Sequence, residues 1–348
     1  MSSKLDNVLY QPLLEKKILI EDLTIEEKNS IFQIARNYLY SGFLLNNIIF
    51  HKKDSDLLEK LNRLKKNYIK KSLIMMNSLE ELSAELSKRK IDNITMKGIA
   101  LYKGGYYLNN ERQFRDIDLL VRREDLHITY EIAKKFGFKY LNSDTKDTSK
   151  YYKNFHHLPL MQNQNHVSLE IHHRVTHPIY YKQCPLTKSF FKNKRYINNI
   201  FMPSESDMLV HSLYHGIIHH KCSHGPIFLI DILKLTKDNE DSLENVKKTI
   251  EELGLIEFYK DIQNLLIKVK LKNTIDDEIL FTIKKILNGF NWNNEEINTK
   301  LAFNLKNIIS TFKSISHNYQ INYFSVKFFK ILITRAYKII KSRLLKIE

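Results

Sequence analysis

The sequence predicts an α+β protein: a small mixed sheet flanked by helical regions on its N-terminal and C-terminal sides. Three observations carry this expectation. Long stretches on either side of the centre repeat apolar residues at helical spacing. Between residues 93 and 203, short alternating or apolar segments read as strands separated by helices. Glycine and proline are scarce, 9 and 6 among 348 residues, so few points in the chain carry the usual turn residues. The chain divides accordingly into an N-terminal helical lobe, residues 1–92, a central core, residues 93–203, and a C-terminal helical domain, residues 204–348.

Thr24-Ile25-Glu26-Glu27 has the pattern of a capping box, in which a threonine oxygen and a glutamate three residues on satisfy free amides at a helix start. That helix is expected to run to about Phe50. Ser55 to Arg89 reads as a second, longer helix with Leu61, Leu64, Tyr68, Met75, Leu79, Leu82 and Leu86 on one stripe, a packing face. Ile94 to Leu101 reads as strand, glycine, helix. Ile117 to Val121 is an apolar run fit for a buried strand. Glu124 to Phe136 is a helix with Gly137 as its cap. Phe138 to Leu141, His157 to Met161 and Val167 to His173 are strands, and Tyr196 to Met202 adds one more. Ser204 opens the next helix, and everything beyond it reads as helical.

The chemistry centres on Arg112-Gln113-Phe114-Arg115-Asp116-Ile117-Asp118-Leu119-Leu120-Val121. Alternate strand side chains share a face, so Asp116 and Asp118 point the same way. Two adjacent carboxylates repel each other and resist desolvation. A divalent cation relieves both effects, and Mg²⁺ takes a few carboxylate oxygens together with substrate phosphates. Upstream lies Lys97-Gly98; downstream lies Glu170-Ile171-His172 on a second alternating strand.

Lys-Gly, then Arg-x-x-x-Asp-Ile-Asp-Leu-Leu-Val, then Glu-Ile-His resembles the pattern of a bacterial branch of largely uncharacterised nucleotidyltransferases. That branch belongs to the superfamily that includes DNA polymerase β. The firm resemblance spans Ile94 to His172, and a weaker one runs through Pro203 to Leu235. It implies a nucleotidyltransferase core with Asp116, Asp118 and Glu170 as catalytic and metal-binding carboxylates, two Mg²⁺ ions, and a nucleoside triphosphate (NTP), such as ATP, as substrate. Lys97, Gly98, Arg112 and His172 are then the nucleotide-binding candidates. Lys97 would meet the triphosphate as a point charge, and Arg112 would approach the phosphates. His172, two residues after Glu170, would order that carboxylate or touch substrate. The superfamily often has a serine after the glycine, where this chain has Ile99. Arg115 is expected to point away from the carboxylates.

His211, His215 and His219 recur every fourth residue and so line one helix face, with His220 and His224 following. A metal site can be drawn from His215, His219 and Asp231; packing and hydrogen bonds to the core are the reading these residues favour. The formal net charge of +16 favours anionic partners: nucleotides, nucleic acid or an acidic membrane surface. It is equally accounted for by lysines on solvated helix faces. Two cysteines, Cys184 and Cys222, make neither a metal spacing nor a disulfide framework, which fits a reducing compartment. The start lacks the apolar core of a signal peptide, and the expectation is a cytoplasmic protein. The tail, Tyr323 to Glu348, reads as a basic helix with a broad apolar face, expected to pack on the helical region in preference to a membrane surface.

The sequence thus points to an enzyme that moves a nucleoside monophosphate from an NTP to an unidentified acceptor: a small molecule, a protein or an RNA. The alternative is a catalytically idle fold that binds nucleic acid or a partner protein, against which the three retained carboxylates speak.

Overall fold

The computed structural model describes residues 4–107, 110–141, 151, 155–177, 185–220, 222, 226–236, 241–272 and 274–288. The basic tail and His224 lie outside the described residues. Buried apolar side chains from Val8 to Ile286 form one continuous cluster. No helix among the described residues is long and apolar enough to cross a membrane.

Helix α1 (Lys4–Tyr10) and strand β1 (Ile18–Ile20) precede α2 (Ile25–Asn37). The capping box at the start of α2 forms as its sequence requires. The Glu27 amide donates to Thr24 Oγ1 at 3.1 Å, and the Thr24 amide donates to Glu27 Oε2 at 2.8 Å. The helix does not continue to Phe50. It ends at Asn37, and Leu39 takes a left-handed φ of 57°. The chain resumes as α3 (Ser41–Asn47) and then as β2 (Ile48–Phe50), which pairs in parallel with β1. The 34-residue α4 (Ser55–Lys88) follows, burying Leu57, Leu61, Met75, Leu79, Leu82 and Leu86, with Leu64 and Tyr68 half-buried on the same stripe.

The central sheet contains β3 (Asn93–Thr95), β4 (Asp116–Val121), β5 (Lys139–Tyr140), β6 (Met161–Gln162) and β7 (Ser168–His172) in the order β3-β4-β7-β6-β5. Strands β4 and β7 run parallel; the other pairs are antiparallel. Leu119, Leu120 and Val121 are fully buried, which pins β4 in the middle of the molecule. Helix α5 (Lys97–Lys103) joins β3 to the loop before β4, and α6 (Leu126–Lys135) follows β4.

After α7 (Pro185–Lys192), β8 (Arg195–Ile197) and β9 (Ile200–Met202) make a separate two-stranded hairpin and do not extend the central sheet. Its two-residue loop, Asn198-Asn199, has φ of 47° and 68°. Two left-handed residues match the strands' right-handed twist, and asparagine tolerates that conformation better than most residues. The remaining described elements are helical: α8 (Glu205–Leu213), a π turn (Tyr214–His219), α9 (Ile227–Thr236), α10 (Asp241–Glu252), α11 (Ile256–Leu271) and α12 (Asp277–Asn288).

Gly216 permits the π turn to pack on α9. A Cβ there would stand 2.4–2.7 Å from atoms of the Phe228 side chain, closer than van der Waals contact allows. Gly216→Ala should therefore destabilise the protein by about 1–3 kcal/mol, the usual consequence of overpacking. Trimming the opposing side chain with Phe228→Leu in the same chain should recover part of that loss, as read from denaturant midpoints. An alanine variant as stable as the parent would show that α9 can shift freely.

Candidate active site

Parallel pairing of β4 with β7 sets the site. Asp116 lies opposite Ser168, Asp118 opposite Glu170 and Leu120 opposite His172. Because strand side chains alternate, Asp116, Asp118 and Glu170 emerge on one face. All three line a cavity of about 410 Å³ that Lys97, Gly98, Arg112 and Arg115 also border. Both flanks contribute to its wall: Asn37 to Leu39, at the break after α2, and His211, His215, His219 and His220 of α8 and the π turn.

Asp118 is the hub. It is 2 % exposed, and the Lys97 ammonium donates to its Oδ1 at 2.5 Å. His172 Nε2 stands 2.9 Å from the same oxygen and 3.3 Å from Glu170 Oε2. Lys97 Nζ lies 3.8 Å from Glu170 Oε2. Burial opposes the charge on Asp118, but Lys97 and His172 outweigh it and hold the carboxyl well below the usual range. Glu170 follows the same logic, its pKa lowered against burial by the hydrogen bond with His172. Asp116 is the exception. Burial and the adjacent Asp118 push its carboxyl up to about 7, with Lys97 only partly offsetting them. Burial lowers the pKa of His172, yet its contacts with Asp118 and Glu170 raise it overall.

The ligating atoms of Asp118, Glu170 and His172 lie within 4.8 Å of one another. This set fits a divalent cation: two carboxylates already brought together, and a third, Asp116, whose charge the metal-free protein resists. His172 is almost fully buried behind the carboxylates and orders both of them through one nitrogen.

Lys97 opens α5 at a left-handed φ of 57°, a conformation that a lysine adopts only when its surroundings impose it. That geometry aims its side chain at Asp118. Gly98 serves packing as well as any ligand. A Cβ there would stand 3.2 Å from the Phe114 Cβ and 3.6 Å from the Arg112 guanidinium. Arg112 borders the cavity, but its fork closes on Asp231: Nε donates to Oδ1 at 2.9 Å and Nη2 to Oδ2 at 3.1 Å. The Tyr107 hydroxyl donates to the same Oδ1 at 2.5 Å. Arg112 thus meets a carboxylate of α9, and a phosphate contact there would have to share it. Arg115 also borders the cavity, where its guanidinium donates to the Asn37 carbonyl.

Asp231 is accordingly no partner of His215 and His219. Those two histidines meet His220. Burial drives His215 well below its ordinary pKa and His219 down to about 4, and the Lys97 charge adds to both shifts. His157, which the sequence offered only as part of a strand, and His156, which it did not single out, also line the cavity. Two consecutive histidines beside a strand ending in His172 were the available signal; an isolated bridge pairs His157 with His172.

Solved structures similar to this chain include one from Paracoccidioides brasiliensis and one from Helicobacter pylori. A nucleotidyltransferase-like antigenic protein from Paracoccidioides brasiliensis has 14 % identity, covering 52 % of this chain and 90 % of that one, with a TM-score of 0.33. JHP933 from Helicobacter pylori has 16 % identity, covering 67 % of this chain and 96 % of that one, also with a TM-score of 0.33. Comparison with curated proteins gives no match. A family model described as uncharacterised nucleotidyltransferase matches residues 27–265, more than half of the chain and every carboxylate of the site, and the chain belongs to that family.

Proposed function

We propose that this protein transfers a nucleoside monophosphate from an NTP to an acceptor hydroxyl at Asp116, Asp118 and Glu170, with Mg²⁺ and with release of pyrophosphate. The observation that carries the reading is the register of β4 and β7, which faces Asp118 with Glu170 and sets Asp116 on the same cavity wall. Asp116, Asp118 and Glu170 would hold two Mg²⁺ ions, which when bound supply charge neutralisation at the attacking and leaving oxygens.

Transfer of this kind demands positioning and electrostatics more than covalent help from the protein. The acceptor oxygen forms a bond to the α-phosphorus, and the bond to the β-phosphate bridging oxygen breaks. Pyrophosphate leaves with that electron pair, and the acceptor proton passes to Glu170. His172 keeps Glu170 ionised and oriented for that role. Lys97 fixes Asp118 and presents positive charge to the triphosphate. The cavity draws on α8, the π turn and the break after α2, so the flanking helical regions shape the acceptor pocket around residues 93–203.

Glu170→Gln tests the assignment. It keeps the shape but removes the proton acceptor, so kcat should fall by about 10²–10⁴-fold, the range of general-base catalysis, with KM for the NTP nearly unchanged. A collapse of nucleotide affinity with kcat preserved would contradict the role given to Glu170.

A further inference from the structure

The histidine cluster on the same cavity is a candidate site of different chemistry. One ring nitrogen from each of His215, His219 and His220 lies within 4.8 Å of the other two. His215 and His220 have their Nε2 atoms 3.0 Å apart and their ring centroids 4.2 Å apart. The rings of His219 and His220 are 4.7 Å apart, and those of His215 and His219 are 5.2 Å apart and nearly parallel.

The backbone explains the convergence. In an α-helix, residues five apart point about 140° away from each other, so His220 could not face His215. Here the chain forms a π turn, and the His220 amide donates to the His215 carbonyl at 3.0 Å, the i→i+5 bond of that conformation. The wider turn brings positions i, i+4 and i+5 onto one face. Such turns interrupt α-helices rarely and occur often at functional sites. Gly216, within the turn, accepts the close approach of Phe228 that holds it in place.

We propose that His215, His219 and His220 bind one borderline divalent cation of the zinc class, leaving a coordination position open to the cavity. The donor set decides the class. Imidazole nitrogens suit zinc and its transition-metal neighbours, whereas Mg²⁺ and Ca²⁺ require oxygen. Two nitrogens on a tetrahedral zinc, each at 2.0–2.1 Å, stand roughly 3.3 Å apart, close to the separation of the His215 and His220 nitrogens. Among the described residues Nδ1 of His219 is buried without a hydrogen-bond partner, so mutual hydrogen bonding among the rings does not by itself satisfy the cluster. Three protein ligands with an open position are the arrangement of catalytic sites, not of closed structural ones. The Lys97 ammonium opposes a nearby cation, but Asp118, Asp116 and Glu170 balance its charge. The rings of His156 connect the two centres, 5.5 Å from His219 and 5.3 Å from His172. The proposal stands independently of the transfer reading.

The test is titration of the chelator-treated full chain with Co²⁺ alone. One equivalent should bind with the intense visible absorption of a four-coordinate cobalt ion. Zn²⁺ should displace it, and excess Mg²⁺ should not. His215→Asn and His220→Asn should each weaken binding at least about a hundredfold, beyond the effect of losing an outer-shell partner, while Asp118→Asn retains the signal. Should the histidine variants fail to fold, X-ray absorption on the zinc-loaded wild-type protein decides: three imidazoles in the first shell support the site. An oxygen-dominated shell, no saturable absorption, or absorption that survives in the folded histidine variants and disappears in Asp118→Asn overturns it.

Discussion

Asp118→Asn should reduce transfer by at least about a thousandfold. Metal-bound charge stabilisation contributes several kcal/mol to the transition state, and each 1.36 kcal/mol is tenfold in rate. Asp118 is the carboxylate most completely built into the site, with Lys97 and His172 both resting on one of its oxygens. The amide removes the ligand charge and leaves those two groups facing a neutral side chain, so the variant should also melt below the parent. Asp116→Asn should abolish transfer as well but move stability the other way. The Asp116 carboxyl is raised from its ordinary value of 3.8 to about 7, chiefly by burial and by Asp118. A raised carboxyl pKa means the folded state keeps a proton that the unfolded chain releases between these values. Its contribution is therefore fully present below pH 4 and is lost as pH rises through 7. In metal-free protein at pH 8 the asparagine variant should be the more stable, by up to about 4 kcal/mol, with the difference shrinking as the pH falls toward 4. Melting curves across that range, and turnover of both variants, check the pair. Wild-type turnover by either variant would remove the carboxylate from the mechanism.

Asp231→Ala should be the most destabilising single change at the site. Arg112 is largely withdrawn from solvent, with 14 % of its side chain exposed, and its two hydrogen bonds to Asp231 offset that desolvation. Tyr107 is buried, its hydroxyl resting on the same carboxylate. Removing the anion leaves an uncompensated guanidinium, which costs about 3–5 kcal/mol, a large part of the stability of a typical domain. Asp231→Asn keeps a hydrogen-bond acceptor and should lose less. Equilibrium denaturation measures both; a loss below about 1 kcal/mol for the alanine variant would mean that Arg112 readily finds another partner.

The sheet at the heart of the site was legible because its signals are local. Alternation placed Asp116 and Asp118 on one face, and the buried run from Ile117 to Val121 marked β4. Glu170 needed a second strand, and the alternation of Val167 to His172 supplied it. The break after α2 was not legible, since residues 37–40 contain neither glycine nor proline, and only the folded chain fixes Leu39 in its left-handed conformation. The pairing of β1 with β2 escaped for a related reason. Three-residue strands carry little pattern, and the stretch from Phe43 to Phe50, apolar except for Asn46 and Asn47, reads equally well as helix. The histidine spacing did point to a shared face, but for an α-helix; the π turn that recruits His220 follows from packing against α9. Arg112 and Asp231 are 119 positions apart, and no local signal could join them.

The central claim is nucleotidyl transfer by the Asp116, Asp118 and Glu170 wall, and the position of a radiolabel tests it most directly. The full chain is incubated with Mg²⁺, a cell extract as the source of acceptor, and NTPs labelled either at the α- or at the γ-phosphate. The account requires label from the α-phosphate to enter an acceptor, label from the γ-phosphate to leave as pyrophosphate, and both to vanish with Asp118→Asn. Transfer of γ-label to the acceptor, or α-label transfer that persists in Asp118→Asn, would contradict it.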